Sequence, residues 1–235
     1  MNTQPIEKVV KSPEGTLDVH SVFFTIQGEG PHCGRTAVFI RLAGCNLQCP
    51  GCDTDYTSTR ERKSVSVLRN EVLELIEEEC GQAHKPLIVI TGGEPFRQDI
   101  SHLCKAFVNL GFQIQIETNG TLPPPAGMPE GIDIVVSPKS GKINEMTAEL
   151  MTALKYVVKA GAVCNDGLPT RALDHTCSPV VAKPPAGFPR ELIYIQPMDE
   201  RKAPANRRNT EAAKSSVMRN GYTLQIQVHK VIGVE

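Results

Sequence analysis

The sequence predicts an α/β fold, a mostly parallel sheet with helical connections curved into a full or partial (β/α) barrel. Strand-like apolar runs alternate with amphipathic helical segments along most of the 235 residues. One run, Leu87-Ile88-Val89-Ile90, is apolar without interruption, as a strand buried on both faces should be. Right-handed crossovers between parallel strands favour that topology, and ligand chemistry is then expected at the C-terminal strand ends.

Residues 1–17 read as an N-terminal extension. Segments 18–26 and 37–42 are strands rich in β-branched and aromatic residues, separated by a Gly- and Pro-containing turn over 28–34. A helix over 66–80 sets Leu68, Val72, Leu75 and Ile76 on one face and stops at Gly81. After strand 87–90, a helix over 99–110 turns Ile100, Leu103, Cys104 and Phe107 inward and ends at Gly111. Strands follow at 112–117 and 132–136, a helix at 144–154, and strands at 155–158 and 191–196. A helix over 210–220 is closed by Gly221, and 222–231 reads as a terminal strand. The stretch 164–190 holds five prolines and few large apolar groups, so it is expected to be an irregular surface loop or lid on a single domain.

Hydrophobic residues make up 40% and charged residues 22%, which leaves no room for a largely disordered chain. Lys and Arg number 25 against 26 Asp and Glu, a balance that argues against a nucleic-acid or anionic-membrane partner. No apolar run reaches about 18 residues and the N-terminus lacks a signal core, so a soluble cytoplasmic protein is expected. Eight cysteines are spaced unevenly, with three crowded between positions 45 and 52. A tight trio in an intracellular chain points to metal or cluster ligation rather than a disulfide framework.

Cys45, Cys49 and Cys52 have the spacing C-x3-C-x2-C directly after the second strand. Three thiolates on one loop can hold three irons of a [4Fe–4S] cubane and leave the fourth iron open for chemistry. A zinc knuckle completed by His32 or Asp53, or three core thiols, are the other readings of the spacing alone.

The cysteine loop resembles the signature of the radical S-adenosylmethionine superfamily, in which the cofactor's methionyl group chelates the open iron. Thr91-Gly92-Gly93-Glu94-Pro95 resembles that superfamily's second motif, which contacts the methionyl amino group. Glycines permit close backbone approach, and a carboxylate can satisfy an ammonium. Further matches narrow the resemblance: residues 24–30, 39–47 and 52–54, Glu117-Thr118-Asn119-Gly120, Ser137-Pro138-Lys139, Gln196-Pro197-Met198-Asp199 and Gln227-Val228-His229-Lys230. In this order they are similar to the 7-carboxy-7-deazaguanine synthase family of queuosine and deazapurine biosynthesis.

That resemblance implies a homodimer with a modified partial barrel, acting on 6-carboxy-5,6,7,8-tetrahydropterin with a [4Fe–4S] cluster, S-adenosyl-L-methionine, Mg²⁺ and a low-potential electron donor such as flavodoxin. It implies that Gln27, Glu29, Gly30, Arg41, His229 and the C-terminal Glu235 meet the substrate. Thr91, Gly92, Gly93, Glu94, Glu117, Asn119, Ser137, Lys139 and Gln196 would line the cofactor pocket, and Thr54 would ligate magnesium. Cys33, Cys80, Cys104, Cys164 and Cys177 fall outside the pattern. Cys104, on an apolar helix face, is expected to be a buried inert thiol.

Overall fold

Successive strand residues face opposite sides of a sheet, and here most apolar ones gather on one side, while charged and amide side chains share the other with a smaller apolar cluster of Ala37, Leu87 and Val89. The computed structural model describes residues 2–10, 13, 15–81, 83–174 and 181–234. Its strands are β1 (Thr16–Ile26), β2 (Thr36–Leu42), β3 (Glu61–Ser64), β4 (Leu87–Gly92), β5 (Ile114–Thr118), β6 (Asp133–Val136), β7 (Ala153–Val158), β8 (Ile193–Pro197) and β9 (Thr223–Leu224). The helices are α1 (Val65–Cys80), α2 (Ser101–Asn109), α3 (Glu145–Leu150), α4 (Ala203–Asn220) and α5 (Val228–Ile232). The nine strands form one sheet in the order β3-β1-β2-β4-β5-β6-β7-β8-β9. The β1 strand pairs antiparallel with β2 and β3, and every pairing from β2 onward is parallel. With β3 and β9 as its two edges, the sheet is open, a partial rather than a closed barrel.

Ile88, Ile90, Ile114, Ile116, Leu154 and Ile195 point outward into a core shared with Leu68 and Val72 of α1, Leu103 and Phe107 of α2 and Ala213 of α4. Their strand neighbours Thr91, Glu117, Lys155 and Gln196 point inward and line a cavity. Helices thus cover the outer face, and the concave face is left for chemistry.

Most elements lie where the sequence puts them, and the exceptions have physical reasons. The β3 strand, Glu-Arg-Lys-Ser, carries no apolar signal because it is a charged edge strand beside β1. Helix α3 ends at Leu150, not 154: Asn144 caps its start by accepting from the amides of Met146 and Thr147, and Met151 is already extended. Helix α4 begins at Ala203, with proline in its first turn, seven residues before the expected start. The terminal segment is not a strand over 222–231. Only Thr223–Leu224 pairs with β8, after which Gln225 turns inward to Gln196 and residues 228–232 form α5. The alternation of Leu224, Ile226 and Val228 imitates a strand, but β9 is an edge with no further strand to pair.

The described parts of 164–190 are packed rather than a free excursion. Leu168, Ala172 and Val181 are buried in the core, Tyr156 donates its hydroxyl to Ala182 O at 2.7 Å, and Ser216 of α4 donates to Gly167 O at 2.6 Å.

Candidate active site

The cysteine loop leaves β2 at Leu42 and crosses the end of β4. There the chain needs glycine twice. A Cβ on Gly92 would sit 2.1 Å from Leu42 O, and one on Gly93 would sit 2.0 Å from Gly44 O. Gly92 also has a φ of +130°, which side chains other than glycine's rarely adopt. The Gly-Gly pair therefore lets two strand ends touch, and so positions the loop that carries the cysteines.

Cys45, Cys49 and Cys52 line a cavity of about 310 Å³, together with Thr54, Thr91, Gly92 and Gly93. Asn119, Ser137, Lys139 and Gln196 form the wall at the ends of β5, β6 and β8. Gln27, Glu29, Arg41, Glu117 and His229 line the same space. Nearly every residue singled out in the sequence therefore faces one cavity. Glu94 and Gly30 do not line it, and Glu235 lies outside the described residues. Glu94 is fully buried behind the wall, where its carboxylate accepts from the Phe96 amide, the Thr118 hydroxyl and the Asn119 amide at 3.0, 2.7 and 2.8 Å. Asn119 in turn donates to Asn46 of the cysteine loop at 2.9 Å, so Glu94 acts on that loop through Asn119. Gly30 donates its amide to Gln225, which donates to Gln196.

The cavity runs along the concave face, so only part of it lies at the C-terminal strand ends. Gln27 and Glu29 come from the β1–β2 connection, at the other end of β2. Glu29 forms an ion pair with Lys155 of β7 and accepts from Gln227 at 2.8 Å. Lys155 also lies 3.8 Å from Glu117, whose carboxylate accepts from Gln27 and Gln115 at 3.1 and 3.0 Å. Burial alone would raise the Glu29 carboxyl, but Lys155 and Gln227 outweigh it and hold the group below its ordinary value. Burial alone would lower Lys155, but Glu117 and Glu29 outweigh that and raise it. The guanidinium of Arg41 lies 5.1 Å above the ring of Phe23.

The C-terminal segment closes the remaining side. Val228 donates its amide to Gly28 O, and His229 lies so near Gly28 that a Cβ there would be 2.1 Å from its Nδ1. Lys230 pairs with Asp53 at 3.0 Å and Asp199 at 3.3 Å. Lys155, Gln227 and Lys230 received no role from the sequence. The signal for Lys155 was present in the alternation of Leu154-Lys155-Tyr156-Val157-Val158, which puts a lysine on the inner face of a buried strand.

The three cysteines are free thiols, and burial pushes Cys45 up to about 12 and Cys49 up to about 11. Such thiols lose their protons to a bound metal rather than to water. Among the described residues, no three of His, Cys, Asp and Glu converge closely enough to hold one ion. His32 is turned away to Asp133 at 2.8 Å, and Asp53 is held by Lys230. Thiols spread around one cavity suit a cluster with irons at separate corners better than mononuclear zinc.

Residues 39–137 match the model of the Radical SAM superfamily. The chain is 37% identical to 7-carboxy-7-deazaguanine synthase of Rhodospirillum rubrum, over 93% of this chain and 93% of that protein. It is 34% identical to the enzyme of that name from Rickettsia prowazekii, over 97% of this chain and 94% of that one. The chain belongs to the 7-carboxy-7-deazaguanine synthase family. A crystal structure of QueE from Escherichia coli, 22% identical, shares the fold with a TM-score of 0.65 over 91% of this chain and 95% of that one. This member of the synthase family is a radical SAM enzyme, and with that superfamily come a [4Fe–4S] cluster and S-adenosylmethionine. No helix among the described residues is long and apolar enough to cross a membrane.

Proposed function

We propose that this chain, as one domain, converts 6-carboxy-5,6,7,8-tetrahydropterin to 7-carboxy-7-deazaguanine with release of ammonia. The observation that carries the reading is the single cavity shared by the three thiols and by Gln27, Glu29, Arg41 and His229. Cys45, Cys49 and Cys52 hold the cluster in this reading. Bound there, the cluster and S-adenosylmethionine supply the hydrogen-atom abstraction that starts the reaction.

The backbone at Thr91, Gly92 and Gly93 lets the cofactor approach the sheet closely, and Asn119, Ser137, Lys139 and Gln196 offer its polar groups partners. Glu94 supports them from behind through Asn119. A carboxylate has about four acceptor sites. Glu29 uses one oxygen for Gln227 and the other for Lys155, which leaves acceptor capacity for the N–H edge of a pterin. Gln27, beside it, offers an amide, and Arg41 suits a carboxylate or carbonyl oxygen. His229 and the carboxylate of Glu235 belong to the same substrate set. Gly30, bonded to Gln225, supports that end from outside the cavity. Thr54 is proposed to bind Mg²⁺ with the substrate carboxylate and water. The enzyme is further proposed to work as a homodimer in the cytoplasm, taking electrons from a low-potential donor such as flavodoxin, with no nucleic-acid or membrane partner.

Anaerobic reconstitution tests the reading. After reduction, the chain should cleave S-adenosylmethionine and turn carboxytetrahydropterin into the deazaguanine, followed by mass spectrometry. Cleavage without pterin turnover would point to an activase that works on a protein partner. No cluster and no cleavage would leave a structural metal module.

A further inference from the structure

Residues 2–10 contribute little to the core: Ile6 and Val9 are 64% and 56% exposed. They are nevertheless bonded along the length of the cysteine loop. The Asn2 amide donates to Pro50 O at 3.2 Å, the Glu7 amide donates to Cys45 O at 2.7 Å, and Ile6 bridges Cys45 in parallel β fashion. Gln48, between the first two cysteines, donates its side-chain amide to Gln4 O at 2.7 Å. The side chain of Gln4 then spans the exit of the loop. Its Nε2 donates to Thr54 O at 2.9 Å, and its Oε1 accepts from the Tyr56 amide at 2.8 Å and the Thr57 hydroxyl at 3.0 Å.

This segment is fastened to the sheet from behind. Arg97, 1% exposed, donates to the carbonyls of Glu7 and Lys8 at 3.1 Å, to the Glu7 carboxylate at 2.9 Å and to Ala43 O at 3.0 Å. The loop has no helix or strand of its own over 46–60, so these backbone groups find partners in the N-terminal segment instead. Three ligands on an irregular loop hold a fixed spacing only when the loop is held from outside.

We propose that residues 2–10 are a strap that sets the geometry of the cysteine loop, with Gln4 as its positioning residue. The inference rests on the reading of Cys45, Cys49 and Cys52 as cluster ligands. Gln4 touches neither cofactor nor substrate in it. Its effect is on how firmly the three thiols are presented. Because the strap is held by polar contacts, its variants leave the outer-face core intact.

Gln4→Met keeps the volume but removes the amide contacts, and it is tested in the full chain in two ways. In the metal-free protein, anaerobic alkylation by iodoacetamide is followed for each cysteine by mass spectrometry. Cys49 and Cys52 should react about fivefold faster than in the unaltered chain, the scale of one net hydrogen bond, while Cys104 in α2 keeps its rate. In the reconstituted protein, the cluster absorbance should decay about fivefold faster under excess EDTA, by the same measure, with a broadened electron paramagnetic resonance signal. Equal alkylation rates overturn the strap, and so does a parallel rise at Cys104, which marks general loosening. If the unaltered chain takes up no cluster, the ligand reading fails, and the alkylation pattern alone still decides the strap.

Discussion

At the cysteine end of the cavity the wall is largely backbone, with Gly92 against Leu42, Gly93 against Gly44 and the loop carbonyls of Cys45 and Pro50 tied to the amides of residues 2–10. At the other end it is charge: Lys155 between Glu29 and Glu117, with Gln27, Gln115 and Gln227 around them. The first construction fixes a shape and tolerates little added volume. The second fixes ionisation states, and its parts come from β1–β2, β5, β7 and the C-terminal segment, far apart in sequence. One cavity thus joins a backbone-walled end that carries the cysteines to a polar, charged end.

The largest expected effect is at the cysteine end. Cys45→Ala, Cys49→Ala and Cys52→Ala should each abolish production of 5′-deoxyadenosine from S-adenosylmethionine, since two thiolates are too few to retain a cubane with one open iron. Cys104→Ala, in the outer core, should keep it. Wild-type cleavage in any of the first three would remove the cofactor from this end.

At the charged end, Lys155→Met leaves the buried Glu29 carboxylate without its cation, and a broken buried pair costs about 3–5 kcal/mol. The loss should shrink as pH falls from 7 to 5. In the variant, burial raises the Glu29 carboxyl above its unfolded value, so the folded state takes up a proton first and gains stability on acidification. In the unaltered chain Glu29 titrates below its ordinary value, so its contribution is complete at pH 5 and is lost only below that range. Urea unfolding of both proteins at the two pH values measures the difference, and an equal loss at each pH would show that Lys155 does not set the ionisation of Glu29.

Two substitutions then separate the ends. Glu29→Gln should weaken pterin binding by about 1.5–3 kcal/mol, the scale of a hydrogen bond to a charged group, while S-adenosylmethionine binding is largely spared. Gly93→Ala should do the reverse. Its new Cβ meets the backbone of Gly44, overpacking of this kind costs about 1–3 kcal/mol, and the damage should appear as reduced iron uptake. Calorimetry for each ligand and iron analysis decide between this pattern and a common folding defect.

The same contrast explains what could be read from the sequence. The cysteine end is written in contiguous residues, Cys45 to Cys52 and Thr91 to Pro95, so its place in one cavity could be expected from the sequence directly. The strap was not, because residues 2–10 have neither apolar periodicity nor a motif and take their meaning from Gln48, Thr54 and Tyr56. Lys155 was read only as the start of a strand, since its partners Glu29 and Glu117 are 126 and 38 residues away and only the parallel order of β5, β6 and β7 brings them together. Helix α5 was misread because the alternation of Leu224, Ile226 and Val228 leading into it copies a strand, while Gly28, which receives His229, lies some 200 residues earlier.

The smallest and most specific effect concerns Thr54, which lies where the two constructions meet. Its carbonyl is taken by Gln4 at 2.9 Å, and its hydroxyl has no partner among the described residues, although the residue lines the cavity beside Cys52. A neutral hydroxyl is a weak ligand, so it adds to an ion's shell only where a substrate carboxylate and water supply the other oxygens. An ion placed there would orient the carboxylate without adding protein charge, and its loss should harm positioning more than cofactor affinity. Thr54→Val should therefore leave cluster absorbance and S-adenosylmethionine affinity unchanged, yet lower pterin turnover and flatten its response to added Mg²⁺. Thr54→Ser, which keeps the hydroxyl, should keep most of that response. Steady-state rates against Mg²⁺ concentration provide the measurement: a wild-type profile in Thr54→Val would assign Thr54 to the loop's backbone alone and move the metal toward the charged end of the cavity.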